Sequence, residues 1–549
     1  MVSEDPESAD ARWLYVQCLM RNGERREAWS VLTFSGPALD PRNELEASLW
    51  LTLVTTFSKA PHALSKCLRV IESALQDPER IAVAFAQLLN ACRENRFQPS
   101  DDETAWLSRL MGDYEVSHPN DPHFRRISLP EGVDPRAVLA KELHSYSFDS
   151  DVDEAFQAIA RGVLPLGMLT MFVQRSYLEC SLRHSGMLRH VRTSPFDRIE
   201  PPLDSPVVLD TTALATLAIL PKPIQESLWG NFSRVEMTAE AYRDAQTAEG
   251  SLCLRSTMSV SLTKEGEVST SVISEALADS YALSSSRAVS LAQKASRRGW
   301  VHYRHFSAPL TDQAWLSAAD MALATGLPLW CDDQAFAALV RGEGGQAFSS
   351  IDLLLDLRDR AVLSAGEVET TLAILLSNGY VDLEPGADLY RLADQLEQGD
   401  ATITAATLTT GGLWKNPEVA SKVIHEAVER NADRPQAQQM WITDGVLGIV
   451  AYTNDRSLQL RNVSILLYRL MVSGIVAREA LPFVFAGVRQ GLEGTDLAAE
   501  VIESALKKVH AAMRRERSAG EASALLRSEV ALLNEPDRLI AARVILTEV

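Results

Sequence analysis

The sequence is poor in cysteine, in positive charge and in long apolar runs, and each shortage excludes a class of protein. Its six cysteines among 549 residues show no CxxC or Cys/His spacing, which excludes a disulfide framework or a zinc site and favours a reducing compartment. The formal net charge of −20 argues against bulk binding to nucleic acid or to an anionic membrane, although a local basic groove is compatible with it.

The sequence also has no apolar run of the roughly 18 residues that a transmembrane helix needs. Its first residues, MVSEDPESAD, are acidic and polar, whereas a secretory signal is basic and then apolar. We therefore expect a cytoplasmic protein without membrane contacts. Phosphate-binding GxxxxGK[ST], nucleophile-elbow GxSxG and zinc-binding HExxH motifs are absent as well.

Proline-rich segments and hydrophobic periodicity divide the chain into three expected regions. Residues 1–193 are expected to be α-helical, as either a tetratricopeptide-like α-solenoid or an irregular helical bundle. Four prolines in Ser194–Pro206 mark a boundary. Strands alternating with helices over 205–362 predict an α/β domain with a mostly parallel sheet and helices on both faces. Residues 363–549 return to a helical pattern.

A strongly apolar stretch stands out in the first helical region. Residues 162–173 read GVLPLGMLTMFV and hold no charged side chain. Because a patch of this kind is costly to leave in water, we expect it to pack against the segment that follows.

Acidic side chains of the α/β region cluster where predicted strands pass into helices. The strand over 207–209 ends at Asp210, and the strand over 327–330 is followed by Asp332 and Asp333. The other candidate acids lie on predicted helices, namely Glu240, Asp244, Asp312 and Asp320. Carboxyl ends of parallel strands meet at one edge of a sheet, where active sites of α/β proteins form.

Carboxylates gathered at one edge repel one another unless a cation neutralises them. Mg²⁺ and Mn²⁺ prefer oxygen ligands and keep waters for substrate phosphates. Such an ion activates water and stabilises the charges of phosphodiester cleavage. The acidic pattern therefore favours hydrolysis of RNA or DNA.

Three segments in order, VVLDTTALATLA, VEMTAEAYRDA and GLPLWCDDQAF, resemble the PIN domain, the metal-dependent ribonuclease fold of VapC-type toxins. The resemblance covers about residues 205–362 and extends to the version attached to helical repeats in large bacterial proteins of stress or conflict responses. It implies a nuclease that binds Mg²⁺ or Mn²⁺ and cleaves RNA, which we expect to be single-stranded. It also implies that Asp210, Asp244 (the seventh residue counted from Thr238) and Asp333 are catalytic metal ligands, with Asp332 as an additional acid.

One position departs from the family pattern. Counted back from Gly326, the place of the family's third acid is Trp315. Asp312 and Asp320 are the nearest acids, and either one or neither is expected to supply the missing ligand. Asp210 and Asp333 also have a simpler interpretation as helix N-caps.

Substrate contacts are expected from two places. Thr211 and Thr212 can bind a phosphate or a metal-bound water, or can belong to the helix start. The acid-free stretch KASRRGWVHYRH, in which we expect a helix over 286–298 and a strand over 300–305, offers base stacking and phosphate contacts. Its candidate residues are Arg297, Arg298, Trp300 and Arg304. The alternative is a helix end whose cations face the helix dipole.

The sequence leaves two functions open. The first is a metal-dependent endoribonuclease held by helical regions that bind protein partners. The alternative is a non-catalytic interaction scaffold with a degenerate PIN-like domain, which the missing third acid and the negative net charge favour.

Overall fold

The computed structural model forms two compact units, and each is described by itself. The first unit comprises Met1–Val152, Arg175–Leu182 and Met237–Gly299, and the second comprises Asp153–Gln174, Arg183–Glu236 and Trp300–Val549. The structure describes residues 8–21, 25–33, 39–58, 60, 62–93, 96–119, 134, 138, 151–173, 175–183, 199–253, 258–262, 268–299, 305–306, 314–381, 383, 386–397, 402–410, 412–473, 476–493 and 495–547.

The amino-terminal part of the first unit is built from helices around one apolar core. These helices are Ala9–Arg21, Arg25–Thr33, Glu44–Phe57, Ala63–Ala74, Pro78–Arg93 and Asp101–Ser117. Asn43 caps the third helix, and Ser100 with Glu103 forms a capping box on the last, which satisfies backbone N–H groups that would otherwise lack partners. Trp13, Leu51 and Phe85 are buried in the shared core, as expected of stacked helical pairs.

The central region contains a five-stranded sheet. Its strands are β1 (Pro206–Leu209), β2 (Arg234–Thr238), β5 (Ser296–Arg298), β6 (Leu329–Trp330) and β7 (Ala347–Phe348), in the order β5-β2-β1-β6-β7. The pairings β1–β2, β1–β6 and β6–β7 are parallel. The α/β core with helical regions that the sequence predicts is thereby confirmed.

The helices of this region lie between the strands or after the last of them. They are Thr211–Ile219, Lys222–Trp229, Ala239–Leu252, Glu275–Ala292, Ala314–Thr325, Gln334–Gly342 and Ser350–Asp359. A separate antiparallel hairpin pairs β3 (Met258–Leu262) with β4 (Val268–Val272) in the first unit. Gly326, with φ +69°, makes the sharp turn from the helix Ala314–Thr325 towards β6, a conformation that glycine adopts without strain.

Short apolar strands followed at once by a capping side chain explain how the region folds. Asp210 caps the helix after β1, Thr238 the helix after β2, Asp333 the helix after β6 and Ser349 the helix after β7. Polar side chains therefore stand at the carboxyl ends of four parallel strands because each strand must turn into a helix there. All four are buried acids or hydroxyls, and they lie at the sheet edge where α/β proteins place their chemistry.

The carboxyl-terminal part of the second unit is helical. Its α-helices are Ala365–Ser377, Ala387–Leu396, Thr402–Ala406, Pro417–Arg430, Pro435–Tyr452, Arg456–Val472, Leu481–Gly491, Ala498–Glu516, Ala519–Val530 and Glu535–Thr547. Among the described residues of the segment before the sheet, the α-helices are Asp151–Ala160, Leu169–Val173 and Tyr177–Arg183, and residues 177–182 of the last belong to the first unit. Within the described ranges, no helix has the length and apolar character needed to cross a bilayer.

Glycines allow the helices Pro435–Tyr452 and Leu481–Gly491 to approach each other closely. A Cβ added at Gly487 or Gly491 would lie 2.7 Å from a backbone or side-chain atom of the facing helix. At Gly448 an added Cβ would collide with the Leu408 carbonyl oxygen and lie 2.8 Å from Nε1 of Trp414. Since real Cβ atoms do not approach this closely, the backbone here tolerates only glycine.

We predict that Gly448→Ala lowers the free energy of unfolding by about 1–3 kcal/mol, because the methyl group overpacks a site bounded by backbone. Gly366→Ala is the matched control. It adds the same methyl where nothing lies within 4 Å, and alanine favours a helix over glycine by up to about 1 kcal/mol. Chemical denaturation of both variants tests the prediction. Equal destabilisation of both would contradict it.

Candidate active site

Asp210 lies directly after β1, in the second unit. Its Oδ2 accepts hydrogen bonds from the backbone N–H of Thr212, at 2.9 Å, and from the Thr212 hydroxyl. The side chain is fully buried, and Oδ1 has no hydrogen-bond partner among the described residues. Burial raises the pKa of Asp210 to about 6, although the hydrogen bonds with Thr212 act to lower it. A helix cap does not need a buried carboxylate oxygen without a partner, which is costly.

Asp333 occupies the equivalent place after β6. Its Oδ1 accepts the backbone N–H of Phe336 at 3.1 Å, which is the N-cap bond of the helix Gln334–Gly342. Its Oδ2 accepts the backbone N–H of Leu166 at 2.6 Å, from a segment far away in the chain. Both oxygens of this carboxylate therefore already have N–H donors.

The two carboxylates influence each other. Burial raises the pKa of Asp333 to about 7, and the negative charge of Asp210 adds to the increase. Only 4% of Asp333 is exposed, and Asp210 is not exposed at all. Cys331 is buried beside them, and its pKa lies well above the usual value, first because of burial and then because of the charges of Asp210 and Asp333. Burial and the nearby negative charges therefore keep the thiol protonated at neutral pH.

Asp332 makes different contacts from the adjacent Asp333. Its carboxylate accepts the backbone N–H of Ser350 at 2.5 Å and the Ser350 hydroxyl at 2.8 Å. The same hydroxyl accepts a hydrogen bond from the indole N–H of Trp330 at 2.9 Å. Burial raises the pKa of Asp332, which is opposed by hydrogen bonds from Thr216 and Ser350. Asp332 thus ties β6 to the start of the helix Ser350–Asp359.

Asp244 lies in the first unit, on the helix Ala239–Leu252. Its two oxygens accept the backbone N–H groups of Tyr177, at 2.7 Å, and Leu178, at 2.9 Å. These are the first two N–H groups of the helix Tyr177–Arg183, in which Ser176 accepts the N–H of Glu179 at 3.2 Å. Together Asp244 and Ser176 satisfy N–H groups that have no partner within the helix. Glu240, on the same helix, forms an ion pair with Arg243 at 3.0 Å.

The place of the family's third acid holds a buried aromatic ring. Trp315 stacks edge-on against Phe336, with ring centroids 5.1 Å apart. Asp320 is buried further along the helix Ala314–Thr325, and its Oδ1 accepts the backbone N–H of His305 at 2.8 Å. Asp312 lies outside the described residues.

The candidate substrate-binding residues have varied surroundings. Thr212 is buried, and its hydroxyl accepts the backbone N–H of Asp332 at 3.0 Å, while the buried hydroxyl of Thr211 has no described partner. Arg297 and Arg298 are exposed on β5, and the Arg297 guanidinium lies 4.5 Å from the ring centroid of Tyr242. Trp300 and Arg304 lie outside the described residues.

A comparison with known families identifies this region. Residues 208–342 match the sequence model of the family described as the PIN domain associated with the TPR-GreAB-C-PIN system. This part of the chain is a PIN domain. The match agrees with the resemblance drawn from the residues, including the attachment to helical regions. No curated protein and no solved structure matches the chain.

Among the described residues there is no preformed site for the divalent cation that PIN domains typically use. Within the described ranges, no group of three or more His, Cys, Asp or Glu side chains could hold a metal ion. The unpartnered Oδ1 of Asp210 suits a cation, but both oxygens of Asp333 and both of Asp244 accept backbone N–H groups. An N–H dipole directs positive charge at the oxygen that a cation would need.

The sequence pattern did not predict two features of this region. Glu236 is fully buried in β2, opposite Val208 of β1, and forms an ion pair with Arg234 at 2.6 Å. The position of Glu236 between the apolar Val235 and Met237 in a predicted strand was the sequence pattern that could have indicated a buried acid. Leu166 was part of the apolar stretch expected to pack on a later segment, but its N–H bond to Asp333 involves the backbone, which leaves no trace in the sequence.

The raised pKa values predict a pH dependence of stability. An acid with a higher pKa in the folded than in the unfolded chain, here about 7 against 3.8 for Asp333, binds its proton more readily when folded. The contribution of this protonated carboxyl group to stability is therefore fully present below about pH 4 and is lost as the pH rises through about 7. We expect Asp333→Asn to flatten this decline, as measured by urea unfolding at pH 5 and pH 8 with EDTA present.

The control for this experiment is Asp388→Asn, which removes a carboxylate from an exposed ion pair with Arg391. It should leave the steepness of the pH dependence as in the wild type. Parallel pH dependences in the wild type and Asp333→Asn would contradict the prediction.

Proposed function

We propose that the PIN domain is a metal-dependent ribonuclease that hydrolyses phosphodiester bonds of single-stranded RNA. The observation that supports it best is the buried, electrostatically coupled pair of Asp210 and Asp333 at the ends of adjacent parallel strands. Packing does not require two buried carboxylates at this edge, and one of them keeps an oxygen without a described partner. Like-charged acids held together are typical of sites that bind a cation or perform acid–base chemistry.

The residue roles in this proposal follow the sequence pattern. Asp210, Asp244 and Asp333 are the proposed ligands of Mg²⁺ or Mn²⁺, with Asp332 and either Asp312 or Asp320 assisting. Thr211 and Thr212 stand at the start of the helix after Asp210, where a substrate phosphate would meet backbone N–H groups. We assign RNA contacts to the exposed Arg297 and Arg298, and to Trp300 and Arg304.

The helical regions complete the proposal. The matched family is one of PIN domains associated with a TPR-containing system, and stacked helices present surfaces suited to protein partners. We propose that these regions bind protein partners which determine when RNA is cleaved, as in a bacterial stress or defence response.

A non-catalytic scaffold is the second candidate function, and a specific observation favours it. Every oxygen of Asp244 and Asp333 accepts a backbone N–H, and Trp315 takes the place of the third acid. In that case these acids serve folding alone, and the PIN domain braces the helical regions for protein binding.

Cleavage of single-stranded RNA in Mn²⁺ separates the two functions. We expect Asp210→Asn to slow cleavage about a hundredfold or more, because it removes a charge at the reacting centre. Asp388→Asn, which makes the same change on an exposed helix face, should cleave as the wild type does. Product formation is measured on labelled RNA, with labelled single-stranded DNA in parallel. Equal cleavage by the wild type and Asp210→Asn, or no cleavage by either, would contradict the proposal.

A further inference from the structure

Two helices of the carboxyl-terminal part of the second unit flank a cleft that the proposed nuclease does not use. They are the helices Pro417–Arg430 and Arg456–Val472, and both belong to the same unit. The cleft has a volume of about 400 Å³, which lies within the range of small-molecule sites in proteins. Its lining is rich in polar side chains, so we considered which ligand these side chains would recognise.

The helix Pro417–Arg430 lines the cleft with a polar stripe. The stripe consists of Glu418, Ser421, Lys422 and His425. Their spacing of three and four residues places them on one face of the helix. Ser421 is buried and His425 is half-buried, whereas Lys422 is exposed and its ammonium lies 3.7 Å from the carboxylate of Glu426. This face therefore offers a hydroxyl, an imidazole, an ammonium and a carboxylate.

The helix Arg456–Val472 lines the cleft with its last turn. Tyr468 and Arg469 contribute a ring and a guanidinium there, beside the exposed Val472. Among the described residues, neither the Tyr468 hydroxyl nor the Arg469 guanidinium has a hydrogen-bond or ion-pair partner, and the same is true of the His425 imidazole. Three groups that can bind a ligand thus face one cleft with their hydrogen-bonding capacity unused.

Other arginines of this helical part are paired with acids. Nε of Arg430 lies 3.0 Å from the carboxylate of Asp394, and Nε of Arg489 lies 3.0 Å from that of Asp537. A cation in the last turn of a helix, such as Arg469, is favoured by the helix dipole. The dipole does not explain why a second helix adds a histidine and a lysine to the same cleft. Binding of an anion explains all three.

The combination of side chains is suited to a nucleotide. A guanidinium and an ammonium bind phosphate oxygens, and an imidazole N–H donates to them as well. The ring of Tyr468 offers a face on which a base stacks. The carboxylate of Glu418 is a suitable acceptor for ribose hydroxyls, as acids are in dinucleotide sites. A simple carboxylic acid would use the cations but neither the ring nor the carboxylate.

We propose that this cleft binds a nucleoside phosphate, with Lys422, His425 and Arg469 at its phosphate groups and Tyr468 at its base. The site is formed by helices that follow the PIN domain in sequence. It requires no metal ion and none of the acids at the sheet edge. Nucleotide binding is therefore a function of the helical region in addition to the proposed nuclease.

Calorimetric titration of the full chain with ADP and with GDP, in EDTA, tests the proposal. We expect saturable binding, which Arg469→Gln should weaken about tenfold or more through the loss of a charged hydrogen bond. Arg461→Gln is the matched control, because it removes the same charge from an exposed position of the same helix outside the cleft lining. It should bind as the wild type does. An equal loss in both variants, or no saturation by either nucleotide at millimolar concentration, would overturn the proposal.

Fragments of the nucleotide and variants of Tyr468 test the ligand class. Adenosine and inorganic phosphate should each bind at least about tenfold more weakly than ADP, since each lacks one of the two recognised groups. Tyr468→Phe keeps the ring and should retain ADP binding, whereas Tyr468→Leu should weaken it several-fold. Phosphate that binds as tightly as ADP, or equal ADP affinity of the two Tyr468 variants, would refute recognition of a nucleotide.

Asp210→Asn separates the cleft from the proposed nuclease. This variant should bind ADP as tightly as the wild type, because Asp210 lies in the PIN domain and not in the cleft lining. Unchanged ADP binding together with an absence of RNA cleavage by the wild type would support the cleft and refute the nuclease. Loss of ADP binding in Asp210→Asn would place the nucleotide at the PIN domain and overturn the proposal.

Discussion

The need to neutralise carboxylates inside the fold governs the structure around the parallel sheet. Because β1 and β6 are adjacent and parallel, their ends place Asp210 and Asp333 at one edge, where both are buried. Charge in a dry site is costly without partners. The chain provides these partners as N–H groups from Thr212, Phe336 and Leu166, and the last of them brings in a segment that precedes the domain in sequence.

The same side chains thereby serve stability and the proposed chemistry. Asp333 caps a helix and accepts the N–H of Leu166, and in the other unit Asp244 completes the start of the helix Tyr177–Arg183. The oxygens of these carboxylates therefore have hydrogen-bond donors within the fold.

The neighbouring acids Asp332 and Asp333 show how sharply tertiary contacts divide roles between similar residues. Asp332 bonds to Ser350 and supports the aromatic cluster of Phe232, Trp330 and Phe348. Asp333 instead faces Leu166 and is influenced by the charge of Asp210. Two adjacent acids after a strand look equivalent in the sequence, since only the partners they meet distinguish them.

The sequence by itself determined the α/β core, the helical regions beside it and the PIN family, because apolar strands, helix periodicity and acids at strand ends are local patterns. It predicted the strand before Asp210, found as Pro206–Leu209, but extended a helix to residue 298 where the structure ends it at Ala292 and starts β5 at Ser296. It missed β7, whose two residues are too few for a periodic signal. Only the tertiary structure decided that Leu166, Tyr177 and Leu178 donate to Asp333 and Asp244, because backbone N–H groups are the same in every residue except proline and their partners are chosen by the fold.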